Sequence, residues 1–98
     1  MFLVLLKFSD VPDRGARARA HLQGHKAWIK RGLDDGVFLL VGSLQPDLGG
    51  ALLVRGPSRE ALRARVERDP FVREDVVRAE ILEFSPALAS PELRALLE

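Results

Sequence analysis

Four short apolar runs, separated by stretches of helical period in the order β-α-β-β-α-β, predict an α+β domain. That order packs as a ferredoxin-like (split βαβ) sandwich, with two helices on one face of a four-stranded antiparallel sheet. The chain of 98 residues suits a single domain with one core, residues 1–86 carrying the sheet and 87–98 a helical tail. A third observation concerns the first two strands, which are apolar on both faces. Two helices cover only one sheet face, so the other leaves an apolar patch that a soluble monomer rarely exposes. A second copy of the chain is the expected cover, giving a homodimer through the open sheet face.

Each element has its own signal. In residues 2–8, Phe2, Val4, Leu6 and Phe8 share one side and Leu3 and Leu5 the other, as in a strand buried on both faces. Ser9 to Asp13 breaks the run, and Pro12 and Asp13 suit a helix start. From Asp13 to Asp35 there is no Pro, and Ala18, Leu22, Ile29 and Leu33 recur at helical spacing. The result is one long amphipathic helix with a basic outer face, weakened by up to ~1 kcal/mol at each interior Gly among Gly15, Gly24 and Gly32. Asp35-Gly36 ends it. Val37–Val41 is the second strand, Gln45–Gly50 a turn, and Ala51–Arg55 the third strand of a hairpin. Ser58 caps a second helix carrying Leu62 and Val66, and Asp69-Pro70 starts a short helical turn. In the fourth strand, residues 76–84, Val77, Ala79 and Ile81 face one way and Arg78 and Glu80 the other. Ser90-Pro91 opens a final short helix with Leu93, Leu96 and Leu97.

Composition removes several classes of function. Lys+Arg is 15 against 14 for Asp+Glu, which gives no electrostatic reason for a nucleic-acid or membrane-surface partner. One RNA-binding module uses this fold, but it stacks bases on aromatics of its central strands, and the third strand here has none. With no Cys there is no disulfide framework, thiolate metal site, iron–sulfur cluster or cysteine nucleophile. The absence of Asn argues against an acylphosphatase-type site, which pairs an Asn with an Arg. No apolar run approaches the ~20 residues that span a bilayer, and the apolar start is too short for a signal peptide. A cytoplasmic location is expected.

The chain has two histidines, His21 and His25, both on the first helix. His25 sits at the edge of the apolar stripe and His21 further out, with Trp28 continuing that edge. His25 is either a general acid or base or a boundary histidine satisfied by a backbone carbonyl. The i,i+4 spacing of the pair is that of metal ligands, but the segment lacks the metalloprotease Glu and a third His; no metal and no cofactor are expected. Asp34 and Asp35, at the negative end of a helix dipole, read as solvated loop charges. Asp69 reads either as the cap of the turn it precedes or as an acceptor orienting His25. Ser43, after Gly42 at the end of the second strand, is a possible ligand contact or an ordinary strand-end serine.

His25 with Trp28, Asp34-Asp35-Gly36, the strand Val37 to Leu44 with its Gly42-Ser43, and Asp69-Pro70-Phe71-Val72 together resemble the YciI-like family, over residues 2–86. The resemblance implies a dimeric α+β barrel, two ferredoxin-like sheets packed face to face, in agreement with the uncovered face argued above. It implies a His–Asp active centre, which falls on His25 and Asp69. The family often has Gly-Pro after the second strand, where this chain has Gly42-Ser43. One related enzyme type eliminates chloride from a chlorinated muconolactone, and muconolactone isomerases share the barrel. The expected function is a lyase or isomerase acting on a small anionic, lactone-like molecule. His25 would shuttle a proton, Asp69 would fix its tautomer, and Ser43 and Trp28 would line the pocket. The alternative is a non-catalytic small-ligand binder or structural homodimer.

Overall fold

The computed structural model describes residues 1–98 and contains one four-stranded sheet, in the order β2-β3-β1-β4, with every neighbouring pair antiparallel. The strands are β1 (Phe2–Phe8), β2 (Phe38–Leu44), β3 (Gly49–Val54) and β4 (Val77–Glu83). The helices α1 (Arg14–Asp34), α2 (Arg59–Val66) and the short α3 (Pro70–Arg73) complete the predicted ferredoxin-like sandwich. The doubly apolar β1 lies in the middle of the sheet, where a strand meets both faces.

The register fixes which side chains meet the helices. Phe2, Val4 and Leu6 of β1, with Leu52 and Val54 of β3, are buried beneath α1 and α2. Val77, Ala79 and Ile81 of β4 share that side, as their pairing with Phe8, Leu6 and Val4 requires. Trp28, Leu62, Val66 and Phe71 close the core from the helix layer. At full burial each such side chain contributes about 1.5–3 kcal/mol. Gly32 lets α1 lie directly on Phe38, since a Cβ there would come within 2.2 Å of the Phe38 ring.

Three details depart from the sequence expectation. β3 starts at Gly49 rather than Ala51. There φ is 133°, and a Cβ would strike the Leu6 carbonyl oxygen, so the strand needs glycine at this close approach. A register shift between Phe38 and Leu40 resets β2, turning Val41 and Ser43 toward the helices and Leu40, Gly42 and Leu44 toward the open face. The C-terminal helix is a 3-10 helix, Pro91–Leu97, with no buried residue and no side-chain cap from Ser90. Its Leu93, Leu96 and Leu97 nevertheless line an apolar hollow of about 320 Å³ with Met1, Leu53 and Phe84.

On the open face, Leu40, Leu53, Leu3 and Leu82 stand side by side, one from each strand. Leu40 is 67% exposed and Leu82 44%. Further along the sheet the surface turns polar with the Lys7–Glu80 ion pair at 3.1 Å. No helix is long and apolar enough to cross a membrane.

Candidate active site

Asp69 sits between α2 and α3 with an extended backbone, and Pro70 follows at the first helical position. Its Oδ1 accepts the Phe71 backbone N–H at 3.0 Å, which makes it the N-cap of α3. The same oxygen accepts the His25 Nδ1–H at 2.7 Å. α1 reaches α3 because residue 24, next to His25, is glycine: a Cβ there would already stand 3.0 Å from the Pro70 Cγ. The Asp69 side chain is fully buried and that of His25 is 15% exposed. Asp69 Oδ2 is buried without a partner. No other basic group comes within ion-pair distance of this carboxylate, so the imidazole is its only charge-balancing neighbour.

The imidazole is held from more than one side. Its ring stacks on Phe71, with centroids 3.9 Å apart and planes within 4°. Trp28 lies 6.1 Å away at 22°. With Nδ1 bound to Asp69, Nε2 has no hydrogen-bond partner in the chain. His25 lines an apolar cavity of about 350 Å³ between α1 and the sheet. Leu6, Ile29 and Leu52 form its greasy walls, and Gly42, Gly49 and Gly50 leave room on the β2–β3 side. Ser43 stands on the β2 wall of the same cavity, and its hydroxyl makes no hydrogen bond within the chain. No other ionisable residue lines the space.

Thus His25, Asp69 and Ser43 belong to one neighbourhood. Trp28 does not line this cavity; it is buried behind His25, its Nε1–H donating to the Arg65 carbonyl oxygen at 2.9 Å and its ring meeting Phe38 edge-on at 5.0 Å. His21 points elsewhere, 3.6 Å from Glu74 Oε1. Asp34 pairs with Lys30 at 2.6 Å and Asp35 with Arg65 at 3.1 Å, as solvated charges do at a helix end. No three His, Asp or Glu side chains converge as metal ligands. Sequence reasoning missed Phe71 as the ring beneath His25; its place two residues after the capping Asp69 was the available signal. It also missed Gly24, an interior helix glycine with a packing role.

A family model described as the YCII-related domain matches residues 1–85. Among solved structures, this chain resembles the 5-chloro-2-hydroxyhydroquinone dehydrochlorinase of Burkholderia phenoliruptrix AC1100, in complex with 2,5-dihydroxybenzoquinone. The TM-score is 0.68 at 13% identity, over 89% of this chain and 96% of that one. At that identity the likeness speaks for the fold. No curated protein matches the sequence.

Proposed function

The chain belongs to the YCII-related domain family, and from that premise we propose that it is a small-molecule lyase or isomerase in which His25 moves the proton. The observation that carries this reading is the 2.7 Å bond from His25 Nδ1 to a fully buried carboxylate, on a ring whose other nitrogen is free and which lines a cavity. Asp69 fixes the neutral tautomer with the proton on Nδ1, leaving Nε2 as the base. When Nε2 takes a proton from an acidic C–H, the imidazolium gains the Asp69 carboxylate as counter-charge. The freed electron pair forms a double bond. In an elimination a leaving group departs with its own pair; in an isomerisation the same proton returns to a different carbon. The Ser43 hydroxyl is suited to donate to a substrate oxygen that becomes negative. Trp28 backs the imidazole rather than touching substrate.

The cavity's size and walls favour a small ring compound. His25 is the only ionisable group in the wall, and its positive charge, when it forms, is matched by Asp69, so binding rests on shape and hydrogen bonds. The neighbouring dehydrochlorinase fold, bound to a hydroxyquinone, suggests the probe. We expect wild-type protein in D2O to catalyse exchange of the ring hydrogens of 2,5-dihydroxybenzoquinone, followed by NMR. His25→Ala should slow this by about 10²- to 10⁴-fold, the usual worth of a general base. Binding of the quinone with no catalysed exchange, for this probe and for simple lactones, would favour the binding-module reading instead. The same proposal includes a homodimer through the open sheet face, supported by the four-leucine row.

A further inference from the structure

On the far side of Trp28 from the His25 cavity lies a second hollow, of about 250 Å³, lined by Gly24, Trp28, Arg31, Asp35, Arg65 and Arg68 among others. Its character is the opposite of the first. Arg31 comes from the last turn of α1, Arg65 from the last turn of α2, and Arg68 from the loop after it. Three arginines line it with one carboxylate and two helix C-terminal ends, each end worth only about half a negative charge, so the hollow is net positive. The one acid is already committed, because Asp35 Oδ2 takes the Arg65 guanidinium at 3.1 Å. Arg65 is fixed further by its carbonyl bond from Trp28 Nε1 and by its place 6.0 Å from the centre of the Phe38 ring. The Arg31 and Arg68 side chains make no ion pair within 4.0 Å, and neither guanidinium donates to a helix carbonyl. Their placement is therefore not explained as capping. On the same helix Arg14, Arg17 and Lys30 have partners within the chain and Arg19 and Lys26 do not, so what sets Arg31 apart is its place in the wall of a hollow beside two further arginines. Gly24 and Ala27 keep this flank of α1 low, so an incoming group has access to the floor formed by Trp28.

We infer that this hollow is a binding site for a phosphate-type oxyanion, free or as the ester of a small molecule, held by Arg31 and Arg68 beside the anchored Arg65. Guanidinium groups match the oxygens of such an anion with paired N–H donors. The site is separate from the His25 cavity and does not depend on the catalytic reading.

Trp28 is the chain's single tryptophan, so its emission reports directly on this floor. Wild-type protein is titrated with inorganic phosphate and with glycerol 3-phosphate, at ionic strength held constant with sodium chloride. A saturable change in Trp28 emission is expected, weakened about tenfold by Arg31→Gln or Arg68→Gln and abolished in the double variant. Both residues are exposed, so the variants should fold. Tighter binding of glycerol 3-phosphate supports the site with an ester as its ligand; equal binding supports it with the free ion. Ser43→Ala, in the wall of the other cavity and away from Trp28, should bind as wild type does. No saturable change with either probe overturns the proposal, as does an unaltered response in the double variant. Loss of the response in Ser43→Ala also overturns it, since the anion then occupies the other cavity.

Discussion

At the scale of single residues, one oxygen carries two tasks. Asp69 Oδ1 caps α3 and accepts the His25 Nδ1–H, two roles that sequence reading sets against each other as alternatives. Substitutions separate them. Asn retains capping ability, so Asp69→Asn should leave stability within about 1 kcal/mol of wild type, whereas Asp69→Ala loses cap and partner together and should cost about 1–3 kcal/mol in urea unfolding. If the carboxylate also serves proton transfer, Asp69→Asn should fold well and yet catalyse exchange poorly. In the wild type, the nitrogen chemical shifts of neutral His25 should report the proton on Nδ1. A proton on Nε2 would remove the proposed base. Periodicity located His25 at the edge of the apolar stripe, because that needs only the helix repeat. It did not tell which way Trp28 leans, since the side of the histidine that an indole occupies depends on α2, an element more than thirty residues away.

At the scale of elements, the strand order and helix stripes were legible because burial imposes a period on sequence, whereas the shift near Phe38 was not, because a bulge needs no marker residue. The glycines of α1 look alike in sequence and differ in space. Gly32 lies against Phe38, while a Cβ at Gly15 meets only the Arg19 side chain at 3.6 Å. Gly15→Ala should therefore stabilise by up to about 1 kcal/mol through helix propensity. Gly32→Ala should instead destabilise by about 1–3 kcal/mol, because overpacking outweighs propensity. Equal effects in thermal unfolding would contradict this packing. The start of α1 carries a pH signature. Asp13 makes no cap bond but pairs with Arg17 at 2.9 Å, and the hydrogen bond from Arg17 holds its carboxyl below the ordinary carboxylate value. A carboxylate depressed in this way stabilises the fold above its unfolded pKa and loses that contribution as pH falls through the folded one. The stability gap between wild type and Asp13→Asn should thus be small at neutral pH, shrink with salt, begin to fall below about pH 4 and vanish only below the lowered folded pKa.

At the scale of the whole molecule, the sheet face away from the helices decides assembly. The doubly apolar character of β1 was plain in sequence, but its phase was not: either Phe2, Val4 and Leu6 or Leu3 and Leu5 could have faced outward. The structure buries the first set beneath the helices and leaves Leu3 in the open-face row with Leu40, Leu53 and Leu82, where Leu40 and Leu82 are exposed and Leu3 and Leu53 half-buried. Four leucines abreast form the apolar centre of a patch bounded by Lys7 and Glu80 on one side and flanked near Leu53 by the apolar C-terminal segment. A stable dimer needs roughly 800 Å² buried on each partner, which a four-stranded face can supply. Sedimentation at low micromolar concentration should therefore give twice the 10.9 kDa of one chain. Leu3→Glu and Leu53→Glu put like charges at the centre of the contact and should yield monomers that keep their far-ultraviolet spectrum, because the core under the helices is untouched. Val4→Glu, one residue along the same strand, buries an unpaired charge at a position with no solvent access and should unfold the chain. A wild-type species of 10.9 kDa, or a Leu3→Glu variant that sediments as wild type does, would mean that this face is not where two copies meet.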